Sequence, residues 1–424
     1  MTSDPRILFV DQTGNLGGAE LCLADLATHL RSRCAVFLFE SGPFQELLEK
    51  GGVRTIVVRA SAPKANVRKK AKHSAYFLTI PAFIWLVVSL SRSARGFDLL
   101  YANTAKALVV TAVTGLLLRK PFLFHLHDII DAGHFSFLNR WLLVTAANLA
   151  DGVVANSEAT AAAYRKAGGT NRNLRVVPNG FRVERFRTDV EILSREIRAS
   201  VRARDRLVVG LFGRITAWKG QKILIEALQQ LPDVAAVIVG DALFTDEDRQ
   251  YKRELVALAS RLDVDSRIYF AGFQADILPY LNAVDLVVHC SISAEPFGRV
   301  IVEASLAGKP VIAARSGGPA EIIEDRVTGI LVSPGDPGEL ARAIKEVQSD
   351  RIWAEKLATF GREVAAERFA LERILDEWGD FINTTFRGVV KPQVRISEGV
   401  RQTSPKQPEV GLTGGAQHAF SDRP

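Results

Sequence analysis

One pattern constrains the fold more than any other, and it occurs twice. From Arg6 the chain reads RILFVD, QTGNLGG and AELCLADLATHLRS before a second apolar run at Cys34–Phe39. A short apolar run, a glycine loop, a helical stretch and another apolar run spell a parallel βαβ unit. Further apolar runs at Thr55–Val58, Leu99–Ala102, Phe122–His127, Gly152–Ala155 and Leu174–Val177 alternate with helical patterns such as Asn139–Ala150 and Ala159–Ala167. The pattern restarts with LVVGLFG at Leu207–Gly213 and a helix at Gln221–Leu231. Strands follow at Ala235–Val239, Ile268–Ala271, Leu286–His289, Val311–Ala314 and Ile330–Val332. Two doubly wound α/β domains in tandem are predicted.

The boundaries follow from where the pattern lapses. Residues 1–190 form the first domain, and 191–205, inside a charged stretch from Arg182 to Arg206 with no strand core, read as a linker. Residues 206–370 form the second domain, 371–387 hold an amphipathic helix centred on Leu371–Phe386, and 388–424 turn polar and predict a disordered tail. A chain of 424 residues exceeds what one core serves, and 47% hydrophobic residues supply enough for two. Cys22, Cys34 and Cys290 are too few and scattered for a disulfide framework or zinc ribbon, so a reducing compartment is expected. The start, MTSDPRILFV, meets Asp11 too soon to read as a signal peptide.

The net charge of +7 is uneven. Residues 1–190 hold 24 Lys and Arg against 14 Asp and Glu, and the rest hold 30 against 33. The first half therefore favours an anionic partner: a membrane surface, a phosphorylated acceptor or nucleic acid. Lys64, Arg68, Lys69, Lys70 and Lys72 precede the uncharged stretch Ser74–Ser91, which carries Pro81 and reads as an interfacial or buried helix rather than a transmembrane one.

Ligands of such sheets bind beyond the carboxyl ends of the strands, so candidate residues are sought there. Gly14-Asn15-Leu16-Gly17-Gly18 can bring backbone amides and a helix N-terminus to a phosphate; its spacing is GxxGG, not the dinucleotide GxGxxG. His125 and His127 close a strand on one face, followed by Asp128; a metal pair or structural histidines both fit. Arg214, after Gly213, and Lys219 bracket a strand-to-helix turn, a placement suited to a diphosphate. Glu295 and Glu303 set two carboxylates eight residues apart across a loop and a helix start, able to accept from vicinal hydroxyls of a sugar and a ribose. A helix cap and an exposed glutamate would meet that spacing too. It gains weight from the glycine loop and acid of Gly317-Gly318-Pro319-Ala320-Glu321.

With those residues in view, the chain resembles glycosyltransferase family 4, the retaining group with the GT-B fold. The resemblance runs from Arg6 to Phe386 through GGAE at Gly17–Glu20, His127-Asp128, NSE at Asn156–Glu158, PNG at Pro178–Gly180, GRITAWKG at Gly213–Gly220, EPFGRVIVEA at Glu295–Ala304 and GGPAE at Gly317–Glu321. It implies two Rossmann-like domains facing across a cleft, with the last helix crossing back to the first. It also implies a donor diphosphate near Gly17 and Gly18, neutralised by Arg214 and Lys219. Glu295 would hold the donor sugar, Glu303 the ribose, and His127 would sit beside the transferred sugar. Amides of Phe297, Gly298 and Arg299 would touch sugar or phosphate, while Asn103 and Asp128 are acceptor-side candidates. Arg299 stands where the family often has a small or aliphatic residue.

The activity implied is metal-independent retaining transfer of a hexosyl group from a nucleoside-diphosphate sugar to a glycan or polyprenyl-lipid-linked acceptor, in cell-surface polysaccharide or glycolipid synthesis. No cofactor, no metal and no nucleic acid are expected. The DxD at Asp263–Asp265 precedes a strand. The location implied is cytoplasmic, peripheral to the inner face of the plasma membrane. Two alternatives share the fold: a nucleotide-sugar epimerase, and a non-catalytic binding subunit.

Overall fold

The computed structural model describes residues 4–58, 80–188, 191–200, 206–243 and 245–390. The lysine and arginine cluster from Lys64 to Lys72, the start of the uncharged stretch up to residue 79, and the polar tail from 391 lie outside the described residues.

The first domain is a seven-stranded parallel sheet in the order β3-β2-β1-β4-β5-β6-β7. Its strands are β1 (Ile7–Asp11), β2 (Cys34–Leu38), β3 (Arg54–Val57), β4 (Leu99–Ala102), β5 (Phe122–Leu126), β6 (Gly152–Ala155) and β7 (Leu174–Val176). Between them run α1 (Gly18–His29), α2 (Pro43–Lys50), α3 (Ile80–Ser93), α4 (Ala105–Leu118), α5 (Phe137–Asn148) and α6 (Glu158–Lys166). Ile7 to Val10 and Leu99 to Ala102 are wholly buried, as strands covered by helices on both faces must be.

The second domain repeats the plan with six strands in the order β10-β9-β8-β11-β12-β13. These are β8 (Leu207–Phe212), β9 (Val234–Val239), β10 (Ile268–Gly272), β11 (Leu286–His289), β12 (Val311–Ala314) and β13 (Ile330–Val332). Its helices are α7 (Glu191–Ser200), α8 (Gln221–Ala227), α9 (Asp246–Arg261), α10 (Leu278–Ala283), α11 (Arg299–Leu306), α12 (Pro319–Ile322), α13 (Pro337–Ser349) and α14 (Arg351–Arg368). In both sheets the strand order reverses beside the first strand, between β1 and β4 and between β8 and β11. Each reversal opens a crevice at the carboxyl ends of the strands.

The stretch 191–205, expected to be a plain linker, contains α7 docked on the second domain. Arg198 pairs with Asp285 at 2.8 Å and Ser194 Oγ donates to the Pro279 carbonyl at 3.0 Å. Among its described side chains only Ser194 and Ile197 turn fully inward while Ile192 stays exposed, so its apolar signal is weak.

The last helix, α15 (Leu371–Val390), crosses back to the first domain. Ile374, Trp378, Phe381 and Ile382, spaced as one helical face, are buried with Ile7, Phe9, Tyr101 and Leu123. The Trp378 ring lies 4.9 Å from Tyr101 and 4.8 Å from His125. The two interdomain segments are tied together: Phe181 N–H donates to Phe369 O at 2.8 Å and Leu371 N–H to Phe181 O at 2.9 Å.

Helix α3 buries Val87 and Leu90 and exposes Ile84, Trp85 and Val88. Among the described residues no helix is long and apolar enough to cross a membrane.

Candidate active site

The side chains singled out from sequence gather at the two strand-order reversals, in three groups. On the second domain, β11 ends at His289 and the chain loops through Ser291 to Glu295 before entering α11. Glu295 is buried, and its Oε2 receives the Lys219 ammonium at 2.5 Å, the Ser291 hydroxyl at 3.0 Å and His289 Nε2 at 3.1 Å. Burial would raise this carboxyl, but the Lys219 charge and the His289 hydrogen bond override it and hold it well below the usual carboxylate range. Lys219 also lies 4.4 Å from the centre of the Trp218 ring. The loop that presents it needs Gly220 in the left-handed region (φ 69°), where a Cβ would stand 2.0 Å from the Cys290 carbonyl oxygen. Arg214 is half-buried in the loop after β8, its carbonyl receiving Gln221 Nε2 at 2.9 Å.

On the first domain, Gly17 caps α1 in extended conformation and Gly18 opens that helix. Behind them lies an acid cluster. Burial raises the Asp11 carboxyl to about 6; burial, then Asp11 and Asp128, raise that of Glu20 to about 8. His127, just past β5, stacks 3.8 Å from His125 and is pushed down to about 3 by burial and by Arg299. His125 itself is a core residue against Tyr101 and Trp378.

Asn103, expected on the acceptor side, is fully buried beneath His127: its Oδ1 meets His127 Nε2 at 3.1 Å and its Nδ2 donates to Asp11 at 2.7 Å. A residue with no exposed surface cannot meet an acceptor from solvent, and the expectation is corrected. Asp128 stays half-buried.

The third group spans the cleft. Arg299 is the first residue of α11, and its Cδ lies 3.0 Å from where a Gly18 Cβ would sit. Its guanidinium stacks over Phe181 at 4.5 Å and reaches Glu303 Oε1 at 3.4 Å, with Nη1 buried and without a hydrogen-bond partner among the described residues. The residue that departs from the family's usual choice thus bridges both domains with its side chain. Phe297 is buried between Phe181 and Phe369, leaving its backbone rather than its ring for a ligand. Gly298, at φ 99°, caps α11. Close by, Glu321 accepts from the amides of Glu158 and Ala159 at 2.9 and 2.7 Å, so the GGPAE loop of one domain caps α6 of the other.

Sequence reasoning missed Asp11, His289 and Ser291, and took in Glu20 only as the end of the GGAE motif. For His289 and Ser291 a signal existed, since they lie six and four residues before Glu295 at a strand end; for Asp11 only the fold brings it under the glycine loop. Asp263 and Asp265 stand exposed before β10, at the end of the sheet away from the cleft.

The comparisons with known proteins agree with this geometry. The family model described as Glycosyltransferase Family 4 matches residues 16–185, and that described as Glycosyl transferases group 1 matches 194–364. Anabaena HepE, whose structure was solved in complex with UDP-glucose, is 38% identical over 90% of this chain and 100% of that one, with a TM-score of 0.80. The lipopolysaccharide core biosynthesis glycosyltransferase LpsE of Rhizobium meliloti is 38% identical over 41% of this chain and 49% of that protein. A GDP-mannose-dependent phosphatidylinositol monomannoside mannosyltransferase of Mycolicibacterium smegmatis is 32% identical over 52% and 59% respectively. The chain thus matches about half the length of these curated relatives. With the two domains matched, in order, by these two glycosyltransferase models, and with HepE aligned end to end, the chain belongs to glycosyltransferase family 4 and has its GT-B fold.

Proposed function

We propose that the protein is a retaining, metal-independent glycosyltransferase that moves a hexosyl group from a UDP-sugar to a glycan or lipid-linked acceptor during cell-surface polysaccharide or glycolipid synthesis. The observation that carries it is the buried Glu295 carboxylate, held ionised by Lys219, His289 and Ser291 at the mouth of the interdomain cleft. A carboxylate kept charged in the loop that follows β11 suits hydroxyl donors. Arg214, Lys219 and the α1 N-terminus supply positive potential for a diphosphate. The choice of UDP rests on the likeness to HepE, which extends over both domains, whereas the GDP-mannose-dependent relative matches only half the chain.

In the proposed step the acceptor hydroxyl approaches the anomeric carbon from the side the diphosphate leaves. The bond from that carbon to the diphosphate oxygen breaks, the bond to the acceptor oxygen forms, and the acceptor proton passes to the departing diphosphate. No protein nucleophile is required. The side chains stabilise charge that grows on the diphosphate and orient the sugar.

The lipid-linked acceptor reading comes with peripheral association at an anionic membrane. It is supported by the positive first domain and by the exposed apolar side chains of Ile84 and Trp85 on α3 and Phe137 and Trp141 on α5. Binding to anionic but not zwitterionic vesicles, weakened by salt, is the expected result; failure to bind either removes the membrane from the reading.

The decisive experiment is a panel of UDP-, GDP- and ADP-sugars, scored by calorimetric binding and nucleotide release, with product anomeric configuration read by NMR. UDP-hexose binding, an axial-to-axial outcome and turnover unchanged by EDTA are expected. Inversion, or loss of turnover in EDTA restored by magnesium or manganese, would overturn the mechanism. Absence of any nucleotide affinity would favour a non-catalytic subunit.

A further inference from the structure

Asn103 does not face the cleft, yet it decides what His127 can offer there. Its Nδ2 points at two groups that only accept at neutral pH, Asp11 Oδ2 at 2.7 Å and the Ala19 carbonyl at 3.3 Å. The amide is therefore oriented with no freedom, and Oδ1 must be the atom that meets His127 Nε2 at 3.1 Å. An amide oxygen cannot donate, so the imidazole proton is on Nε2 and Nδ1 carries a bare lone pair. The ring is half-buried and Nδ1 makes no hydrogen bond among the described residues.

We propose that Asn103, backed by Asp11, is a positioning residue that fixes His127 as the Nε2–H tautomer, so that Nδ1 accepts a hydrogen bond from a hydroxyl of the transferred sugar. This rests on the glycosyltransferase reading and deepens it: the donor must present a free hydroxyl to His127, and a deoxygenated or etherified sugar at that carbon is disfavoured. A neutral acceptor rejects a phosphate oxygen, which has no proton to give, and so separates the sugar end of the donor from the diphosphate end. The charged and titratable groups around the ring are His125 on β5, Asp128 beside it, Asp11 and Glu20 behind Asn103, and Arg299 from the facing domain. Arg299 and burial both oppose an imidazolium, which is consistent with a neutral ring.

Two measurements test it. Long-range nitrogen–proton NMR on protein labelled at histidine reads the tautomer directly in the absence of any donor. Wild type is expected to show a His127 protonated at Nε2, and Asn103→Ala a mixture; an Nδ1-protonated wild-type ring overturns the proposal. Kinetics with a set of monodeoxy UDP-hexoses then read function. One deoxy position is expected to lose tenfold or more in kcat/KM in wild type; that discrimination is expected to shrink to within about twofold in His127→Ala and, in Asn103→Ala, to fall in proportion to the fraction of the ring left protonated at Nε2. Unchanged discrimination in Asn103→Ala overturns the proposal. If Asn103→Ala does not fold, Asp11→Asn keeps the volume and replaces an acceptor with an amide that can donate, so the Asn103 amide can turn its oxygen toward residue 11 and its nitrogen toward the ring. The fraction of His127 protonated at Nδ1 should then rise; a ring that stays protonated at Nε2 alone overturns the proposal. Should wild type bind no nucleotide sugar, the enzymatic reading fails while the tautomer result stands on its own.

Discussion

Lys219→Ala tests the site most sharply because the ammonium serves two partners. In the protein as it stands, it lies 2.5 Å from a carboxylate whose side chain is only 10% exposed, itself 19% exposed. Removing one member of such a buried pair leaves the other uncompensated and typically costs about 3–5 kcal/mol. The His289 and Ser291 contacts remain, so the lower end is expected. At about 2–4 °C per kcal/mol for a domain of this size, Tm should fall by roughly 6–12 °C. Catalysis gives a second reading. A donor aimed at charge developing in the transition state is worth on the order of 3 kcal/mol, so kcat should fall about a hundredfold while donor Kd rises much less. The double variant Lys219→Ala/Glu295→Gln separates the effects: with the carboxylate neutralised nothing is left unpaired, and most of the lost Tm should return while kcat does not. Saturation kinetics, calorimetric donor titration and thermal denaturation on the three proteins suffice. A Lys219→Ala enzyme with normal kcat at saturating donor would refute the leaving-group role, and an unchanged Tm would refute the ion-pair argument.

Glu303→Ala should show the opposite balance, a donor Kd raised about tenfold with kcat nearly preserved, because a ribose contact is made equally in ground and transition states; a collapse of kcat in donor saturation contradicts this. Trp378→Ala, emptying a site 2% exposed between Tyr101 and His125, should destabilise by about 3–5 kcal/mol in denaturant unfolding, and a change below 1 kcal/mol would mean α15 is not part of the first domain's core. For Glu20, whose carboxyl is raised to about 8, the folded state holds a proton that the unfolded chain releases at ordinary carboxylate pH, so stability falls as pH rises from about 5 to above 8. Glu20→Gln should therefore gain Tm over wild type at pH 9 but not at pH 5, and an equal difference at both pH values would show the carboxyl is not protonated in the fold.

The strands were legible to within a residue or two because a parallel strand covered on both faces must be an unbroken apolar run, and little else in the chain looks like one. The glycine loops, Lys219 and Glu295 could be placed from sequence because they lie in the loops just past strand ends. What escaped was tertiary. Asn103 follows β4 as a site residue should, and nothing in its neighbours announces that His127 closes over it. Helix α7 hides because its inward face is a serine, an isoleucine and an arginine stem, a pattern that charge dominates. The Arg299 side chain could be placed only once Gly18 and Phe181, far away in sequence, stood beside it.

The returning helix also orders events in time. Tyr101, Phe9 and Leu123 are made early, yet the residues that cover them, Trp378 and Phe381, leave the ribosome only after the entire second domain. At roughly 5–20 residues per second, the first domain waits on the order of ten seconds or longer with one face of its sheet open to water. The domain begun first is completed last. An apolar surface left bare for that interval invites chaperones while the chain grows, and a ribosome stalled beyond Phe369 would hold a finished second domain joined to an unfinished first.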